Sequence, residues 1–319
     1  MKKVGLFGYG CVAQGFVQAL DAAPDLGVEI EKICIRDSSK ERNLPRDLFT
    51  NDPSIILGNE EIDIIIELID DSDFALTIAH QALRTGKPII SANKKMVAEN
   101  LEQILSWQKA YHGNIRYEGA VGGAIPIIEN LENFFSTQYI SSIRGIVNGS
   151  TNYILTQMRN NRSSFEEALA EAQSMGFAES DPSLDVSGYD ALYKAAILAY
   201  HGMNKVLPLD KINREGITDL TKTLERSPDE NEKIKLIVEI GYENQELVAS
   251  VAPKIISQND PLYFVDYEFN AIEVEGATSE KQVFIGKGAG SLPTGSAVLN
   301  DLKIVLNKLD AVELIISQP

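Results

Sequence analysis

The chain opens on a short apolar run, Lys3-Val4-Gly5-Leu6-Phe7, broken at once by Gly8 and Gly10. A run of this length stopped by glycine reads as a buried strand, and the stretch after it, to Leu20, reads as a helix. A second strand is expected over residues 28–35, ending in Arg36-Asp37. Residues 62–68, IDIIIEL, are apolar almost without interruption, as in a parallel strand covered on both faces. A helix is predicted over about 73–85, stopping at Gly86, where glycine commonly ends a helix. Residues 88–91, PIIS, read as the next strand and run into Ala92-Asn93-Lys94-Lys95. Strands alternating with helices predict a parallel sheet.

After Tyr117 the pattern changes. Residues 118–127, EGAVGGAIPI, are dense in glycine, which implies backbone freedom or a close approach. A helix to about residue 135 and a strand ending at Val147 follow, and Asn148-Gly149-Ser150-Thr151-Asn152 reads as a turn and helix cap. A helix over about 187–201 is apolar on nearly every side, the mark of a buried helix. Residues 247–286 alternate in strand fashion around Val251, Phe264 and Val283. The expected fold is α/β: an N-terminal Rossmann-type doubly wound parallel sheet, then an α+β domain with a mixed sheet.

Charge and composition narrow the function. A net charge of −17 argues against nucleic acid or an anionic membrane surface as partner, so an anionic ligand must be held by local groups. No apolar run approaches the ~20 residues of a membrane span. The start, Met1-Lys2-Lys3, lacks a signal-peptide pattern. Cys11 and Cys34 form no CxxC and no disulfide framework, so a reducing cytoplasm is the expected compartment. His80, His112 and His201 are too scattered for a zinc site.

Three groups of residues carry candidate chemistry: a glycine turn, basic residues at strand ends, and an acidic segment that runs into a lysine. Gly8-Tyr9-Gly10-Cys11-Val12-Ala13 is a G-x-G-x-x-A fingerprint between strand and helix. Gly8 makes the turn, Gly10 lets the backbone approach a pyrophosphate, and Ala13 permits close helix–strand packing. At the second strand end, Arg36 with Lys40 suits the 2′-phosphate of NADP, while Asp37 leaves NAD open. Lys94 lies at the carboxyl end of a strand, where open parallel sheets bind ligands. The third group is residues 176–194, which hold Glu179, Asp181, Asp185 and Asp190 and place Lys194 four residues after Asp190. An i,i+4 pair is commonly a solvated surface feature. Its apolar flanks favour a buried lysine held by carboxylates, which a proton-transferring site needs.

The motifs GYGCVA (8–13), SANK (91–94), YEGAVGGAIPII (117–128), NGSTNYILT (148–156), GFAESDPSLDVSGYDALYK (176–194) and GKGAGSLPTGSAVLNDL (286–302) together resemble homoserine dehydrogenase. They occur in family order over nearly the whole chain. The resemblance implies reversible hydride transfer between NAD(P)H and L-aspartate 4-semialdehyde, giving L-homoserine for threonine and methionine biosynthesis. It implies Lys194 as proton donor and Lys94 as a cofactor-proximal lysine that shares in catalysis. Glu179 and Asp190, with Asp185 beside them, are implied to bind the amino-acid substrate. The implied cofactor contacts are Gly8, Gly10, Cys11, Val12, Ala13, Arg36, Lys40, Ser91, Lys94, Gly176 and Gly290. A sodium ion held mainly by backbone carbonyls is implied at Glu118, Val121, Gly123 and Ile125, along with a homodimer. The expected domains are residues 1–133, completed by a C-terminal helix over 291–319, and residues 134–290. Two departures stand out. Ile69-Asp70-Asp71 replaces a usual Gly-Gly pair, and an end at Pro319 leads us to expect a short form without the regulatory domain of longer members. The competing expectations are a related dehydrogenase for another small carbonyl compound and a non-catalytic cofactor-binding paralogue.

Overall fold

In the computed structural model, which describes residues 1–220 and 227–316, the chain forms two compact units. One comprises residues 1–120 and 290 onward, the other residues 121–289. The first contains β1 (Lys2–Phe7), α1 (Cys11–Asp21), β2 (Val28–Cys34), β3 (Phe49–Thr50), α2 (Ser54–Leu57) and β4 (Ile64–Glu67). It continues with α3 (Ser72–Arg84), β5 (Ile89–Ser91), α4 (Lys94–Glu99), α5 (Leu101–Tyr111) and β6 (Ile115–Arg116). The sheet order is β3-β2-β1-β4-β5-β6, and all pairings are parallel. Strand order therefore reverses between β1 and β4, the place where such sheets bind ligands. Ile64, Ile65 and Ile66 are all fully buried, as expected of a strand covered on both faces.

The C-terminal helix (Ser291–Ile316) belongs to this first unit; residues 317–319 of the expected helix lie outside the described residues. Val298, Leu302 and Val305 join Phe16 and Ala13 in one core with Leu6, Ile33 and Ile66. Two glycines permit this contact. A Cβ on Gly15 would lie 2.0 Å from the Ser291 carbonyl oxygen, and one on Gly295 would lie 2.4 Å from the Gly15 carbonyl carbon. Fully buried Asp301 adds a polar tie, accepting from Arg116 Nε at 2.6 Å and from the Glu118 backbone N–H at 2.8 Å.

The second unit begins with α6 (Ile127–Glu132), β7 (Ile140–Ile146), α7 (Gly149–Asn161), α8 (Phe165–Ser174), α9 (Ser183–Val186) and α10 (Tyr189–Met203). Then come β8 (Asn213–Arg214), β9 (Glu232–Glu243), β10 (Glu246–Ser257), β11 (Phe269–Gly276) and β12 (Glu280–Lys287). Its mixed sheet runs β12-β11-β7-β9-β10-β8, antiparallel except for β10 with β8. Helix α10 packs on β7, β9, β10 and α6. Contact between α6 and α10 is why residues 121–133 group here, whereas the sequence reading drew the boundary at 133. Buried Lys235 on β9 is satisfied by Asn152 Oδ1 at 2.9 Å, the Val265 carbonyl at 2.6 Å and Asp266 Oδ1 at 2.9 Å. This polar knot fixes α7 against the sheet, since a buried ammonium is tolerated only when fully partnered.

Two expectations need adjusting. Phe264 is not a strand residue; it closes a 3-10 turn (Pro261–Phe264) and is 71% exposed. Helix α10 starts at Tyr189 rather than 187, because Gly188, at φ +83°, holds a left-handed turn that separates it from α9. No helix among the described residues is long and apolar enough to cross a membrane. The Gly15 contact is directly testable. Gly15→Ala should destabilise the first unit by ~2–3 kcal/mol, because its methyl meets rigid backbone rather than a yielding side chain. Urea unfolding followed through that unit measures the loss.

Candidate active site

At the end of β1, Gly8 takes φ +92°, and a Cβ there would lie 2.5 Å from the Leu68 carbonyl oxygen. Only glycine fits. Gly10 precedes α1 with no side-chain cap, and nothing lies within 4 Å of its missing Cβ. The first-turn N–H groups of this 11-residue helix thus face an uncrowded backbone approach, as a pyrophosphate requires. Ala13 is fully buried, Val12 half-buried and Cys11 exposed; the Cys11 carbonyl accepts from Ser291 Oγ at 2.7 Å. The fingerprint residues fit a dinucleotide.

Beyond β2 the basic residues divide. Arg36, with an 86% exposed side chain, lies 3.4 Å from Asp71 Oδ2. Asp71 also caps α3, accepting from the Phe74 N–H at 3.0 Å. Lys40 instead lines a cavity of about 720 Å³ with Ser38, Ser39, Arg42, Arg46 and Phe49. Arg42 sits 5.2 Å from the centroid of the Phe49 ring and donates to the carbonyl of Lys40 at 2.7 Å. Arg42 and Arg46, not singled out in the sequence, line the same cavity.

At the ends of β4 and β5, Lys94 opens α4 and is half-buried. Asn93 caps the helix, its Oδ1 accepting from Met96 N–H at 2.9 Å while its Nδ2 donates to the Ile69 carbonyl at 3.0 Å. Ser91 is fully buried; its Oγ accepts from the Asn93 N–H at 3.0 Å and donates to Glu67 Oε2 at 2.5 Å. Glu67 Oε1 accepts from the Ile69 N–H at 2.7 Å. Full burial pushes the Glu67 carboxyl up to about 7, despite those two donors and with a small push from Asp70. In the sequence Glu67 lay unremarked within the strand IDIIIEL, which carries a second carboxylate at Asp63.

In the second unit, Lys194 and Asp190 are buried on α10. Lys194 Nζ donates to Asp190 Oδ2 at 2.7 Å and to the Val147 carbonyl at 2.7 Å. Asn148 Nδ2 donates to Asp190 Oδ2 at 2.8 Å and to Asp185 Oδ1 at 2.7 Å, while its Oδ1 caps α7 through the Thr151 N–H at 2.8 Å. Lys194, Asp190 and Asp185 therefore form one chain of contacts, and Asn148, read in the sequence only as part of a cap, links them. Glu179 is exposed and outside that chain; its backbone carbonyl accepts from Gln173 Nε2 at 2.9 Å. Asp181 Oδ1 is engaged locally, accepting from the Ser183 N–H at 3.1 Å. Gly176, at φ +77°, ends the α8 turn. Gly290, at φ +120°, begins the return of the chain to the first unit.

Glu118 belongs to the first unit, and Val121, Gly123 and Ile125 to the second. Gly122 and Gly123 take φ +79° and +55°, and Gly123 lies against the backbone of Gly288. The Ile125 carbonyl accepts from the Ile127 N–H at 2.8 Å. No cluster of three His, Cys, Asp or Glu suited to a metal occurs among the described residues. Main-chain carbonyls as a ligand type suit hard cations rather than transition metals.

A glycine turn at the switch point of a parallel sheet, opening onto an uncapped helix, defines a dinucleotide-binding fold. Known proteins agree. A family profile described as homoserine dehydrogenase matches residues 126–303. A second, the homoserine dehydrogenase NAD-binding domain, matches residues 8–118. The homoserine dehydrogenase of Bacillus subtilis is 35% identical over 317 residues, covering 96% of this chain and 73% of its own length. That of Corynebacterium glutamicum is 33% identical over 313 residues, covering 94% and 70%. The crystal structure of a homoserine dehydrogenase from Thiobacillus denitrificans superposes with a TM-score of 0.90 at 32% identity, covering 97% of this chain and 74% of that one. The chain belongs to the homoserine dehydrogenase family, whose members are NAD(P)-dependent oxidoreductases.

The buried Glu67 carboxyl has a thermodynamic consequence. Raised to about 7 from 4.5, it binds a proton in the folded chain over a window where the unfolded chain has lost it. Its contribution to stability is therefore fully present below about 4.5, lost as pH rises through about 7, and flat above. The unfolding free energy of wild type relative to Glu67→Gln should accordingly fall by up to about 3 kcal/mol from pH 4.5 to 8. Parallel denaturant titrations across that range test the sign.

Proposed function

We propose that this chain catalyses the reversible NAD(P)H-dependent reduction of L-aspartate 4-semialdehyde to L-homoserine, and so serves threonine and methionine biosynthesis. The observation that carries this reading is Lys194, an ammonium held on a buried helix between Asp190 and the Val147 carbonyl. Bound nicotinamide supplies or accepts the hydride. Lys194 donates a proton to the developing alkoxide and stabilises its charge. Asp190 and Asp185, aligned through Asn148, hold the substrate ammonium together with Glu179. A zwitterionic amino acid suits such a carboxylate set better than a sugar or a plain hydroxy acid.

On the cofactor side, the Gly8–Ala13 turn receives the pyrophosphate, and Ser91, Lys94, Gly176 and Gly290 complete its contacts. Lys94 positions cofactor or substrate and shares in proton transfer. Arg36 and Lys40 favour NADP(H) over NAD(H) by charge-assisted hydrogen bonds to the 2′-phosphate, with Arg42 and Arg46 adding positive charge beside Lys40. A sodium ion held by the carbonyls of Val121, Gly123 and Ile125 with Glu118 steadies the glycine-dense turn. The enzyme acts in the cytoplasm as a homodimer.

Absorbance at the nicotinamide band, with homoserine and either NADP or NAD, tests the reaction; turnover of other hydroxy compounds but not homoserine refutes it. Lys194→Met should cut turnover by roughly 10²–10⁴-fold with little change in cofactor affinity. Near-normal turnover in Lys194→Met beside an inactive Lys94→Met would reverse the two lysine roles. For cofactor choice, Arg36→Ala and Lys40→Ala should each weaken NADP binding by about tenfold while NAD binding changes little. Fluorescence titration with both reduced cofactors reads this difference, and equal losses for the two remove the 2′-phosphate role.

A further inference from the structure

Glu67 lacks a part in the chemistry above, yet its burial is costly. It is 0% exposed, and a carboxylate in such a place is retained only with strong compensation. Both its oxygens accept hydrogen bonds, and each donor leads to a different loop. Oε1 takes the Ile69 N–H at 2.7 Å, on the loop after β4, and Oε2 takes the Ser91 hydroxyl at 2.5 Å, at the end of β5. The two loops are joined again above it, because Asn93 Nδ2 donates to the Ile69 carbonyl at 3.0 Å and the Asn93 N–H donates to Ser91 Oγ at 3.0 Å. Asn93 then caps the helix whose first residue is Lys94. The result is a closed ring, Glu67–Ser91–Asn93–Ile69–Glu67, with Lys94 on its rim.

We propose that Glu67 is a positioning residue, which fixes Lys94 by pinning the β4 and β5 loops to each other through Ser91 and Asn93. The requirement is geometric. Lys94 sits at the first position of a helix of only six residues, too short to hold its place by helical stability alone, so the cap beside it, and what the cap is tied to, contribute to its position. A carboxylate does this better than an amide. It accepts on both oxygens, whereas glutamine turns an N–H₂ toward one of the two donors. Misplacement of a reacting group by about 1 Å suffices to cost on the order of 10²-fold in rate.

This proposal rests on the reading of Lys94 as part of the reaction centre, so its test carries one arm that does not depend on turnover. Glu67→Gln and Ser91→Ala are each compared with wild type at pH 8.5, after melting curves and NADPH titration have shown which variants fold. The rate of Lys94 acetylation by acetic anhydride, relative to neighbouring Lys95, is read by peptide mass spectrometry. Both variants should change that ratio by at least about threefold, because the cap that holds Lys94 is loosened. With homoserine as substrate, kcat should fall about tenfold or more while the cofactor dissociation constant moves less than about threefold. The double variant should be no worse than the poorer single, as expected of two residues in one ring. If Glu67→Gln does not fold, Ser91→Ala alone decides. Folded variants with an unchanged Lys94 labelling ratio and wild-type kcat overturn the proposal. If wild type does not oxidise homoserine, the functional reading fails and the labelling ratio still decides the role of Glu67.

Discussion

A charged amine inside an apolar helix is the constraint around which the second unit is arranged. Lys194 lies on α10 among Ala191, Ala195, Ile197 and Leu198, all buried. An ammonium in such surroundings demands a carboxylate and a further acceptor, and Asp190 with the Val147 carbonyl meet that demand. Each of those partners is fixed in turn. Val147 directly follows β7, and Asn148, next in the chain, spends one amide face on Asp190 and Asp185 and the other on the cap of α7. Helix α7 is tied to the sheet through Asn152 and Lys235. A single buried charge thereby recruits a strand end, two helices and a loop.

The first unit uses the mirror image of this device, a buried carboxylate. Glu67 and Asp301 each sit fully enclosed, and each bonds to a donor from another element. Asp301 ties the C-terminal helix to β6 and the residues after it. Both units therefore reserve titratable side chains for joints between elements and leave apolar packing to fill the space between. Apolar contacts tolerate sliding and repacking, whereas a buried ion pair with satisfied geometry does not.

The legible part of the sequence was whatever repeats along the chain. Strand and helix periodicity gave the parallel sheet and the buried α10, and the glycine fingerprint fell on the turn where Gly8 cannot carry a side chain. The Asp190–Lys194 spacing was readable because four residues make one helical turn. Residues whose role depends on a distant partner were hidden. Asn148 looked like part of a cap, and Glu67 like one more position of an apolar strand, because their partners lie 37 and 24 residues away. Phe264 misled for a related reason: alternation was counted through a turn in which Asp260 caps the chain. Arg36 was placed at a strand end, while the company it keeps there, Asp71, comes from the far side of β1.

The path of the chain through its two units has a consequence for how the protein is made. Residues 1–120 leave the ribosome first, but the helix that covers α1 begins only at Ser291, after the whole second unit has emerged. Until then the α1 surface around Gly15 and Phe16 lacks its cover, and a glycine-faced apolar groove stands open to water or to a chaperone. The second unit, contiguous in sequence, can close as soon as it is synthesised. The nucleotide fold is thus the first to be started and the last to be finished during translation.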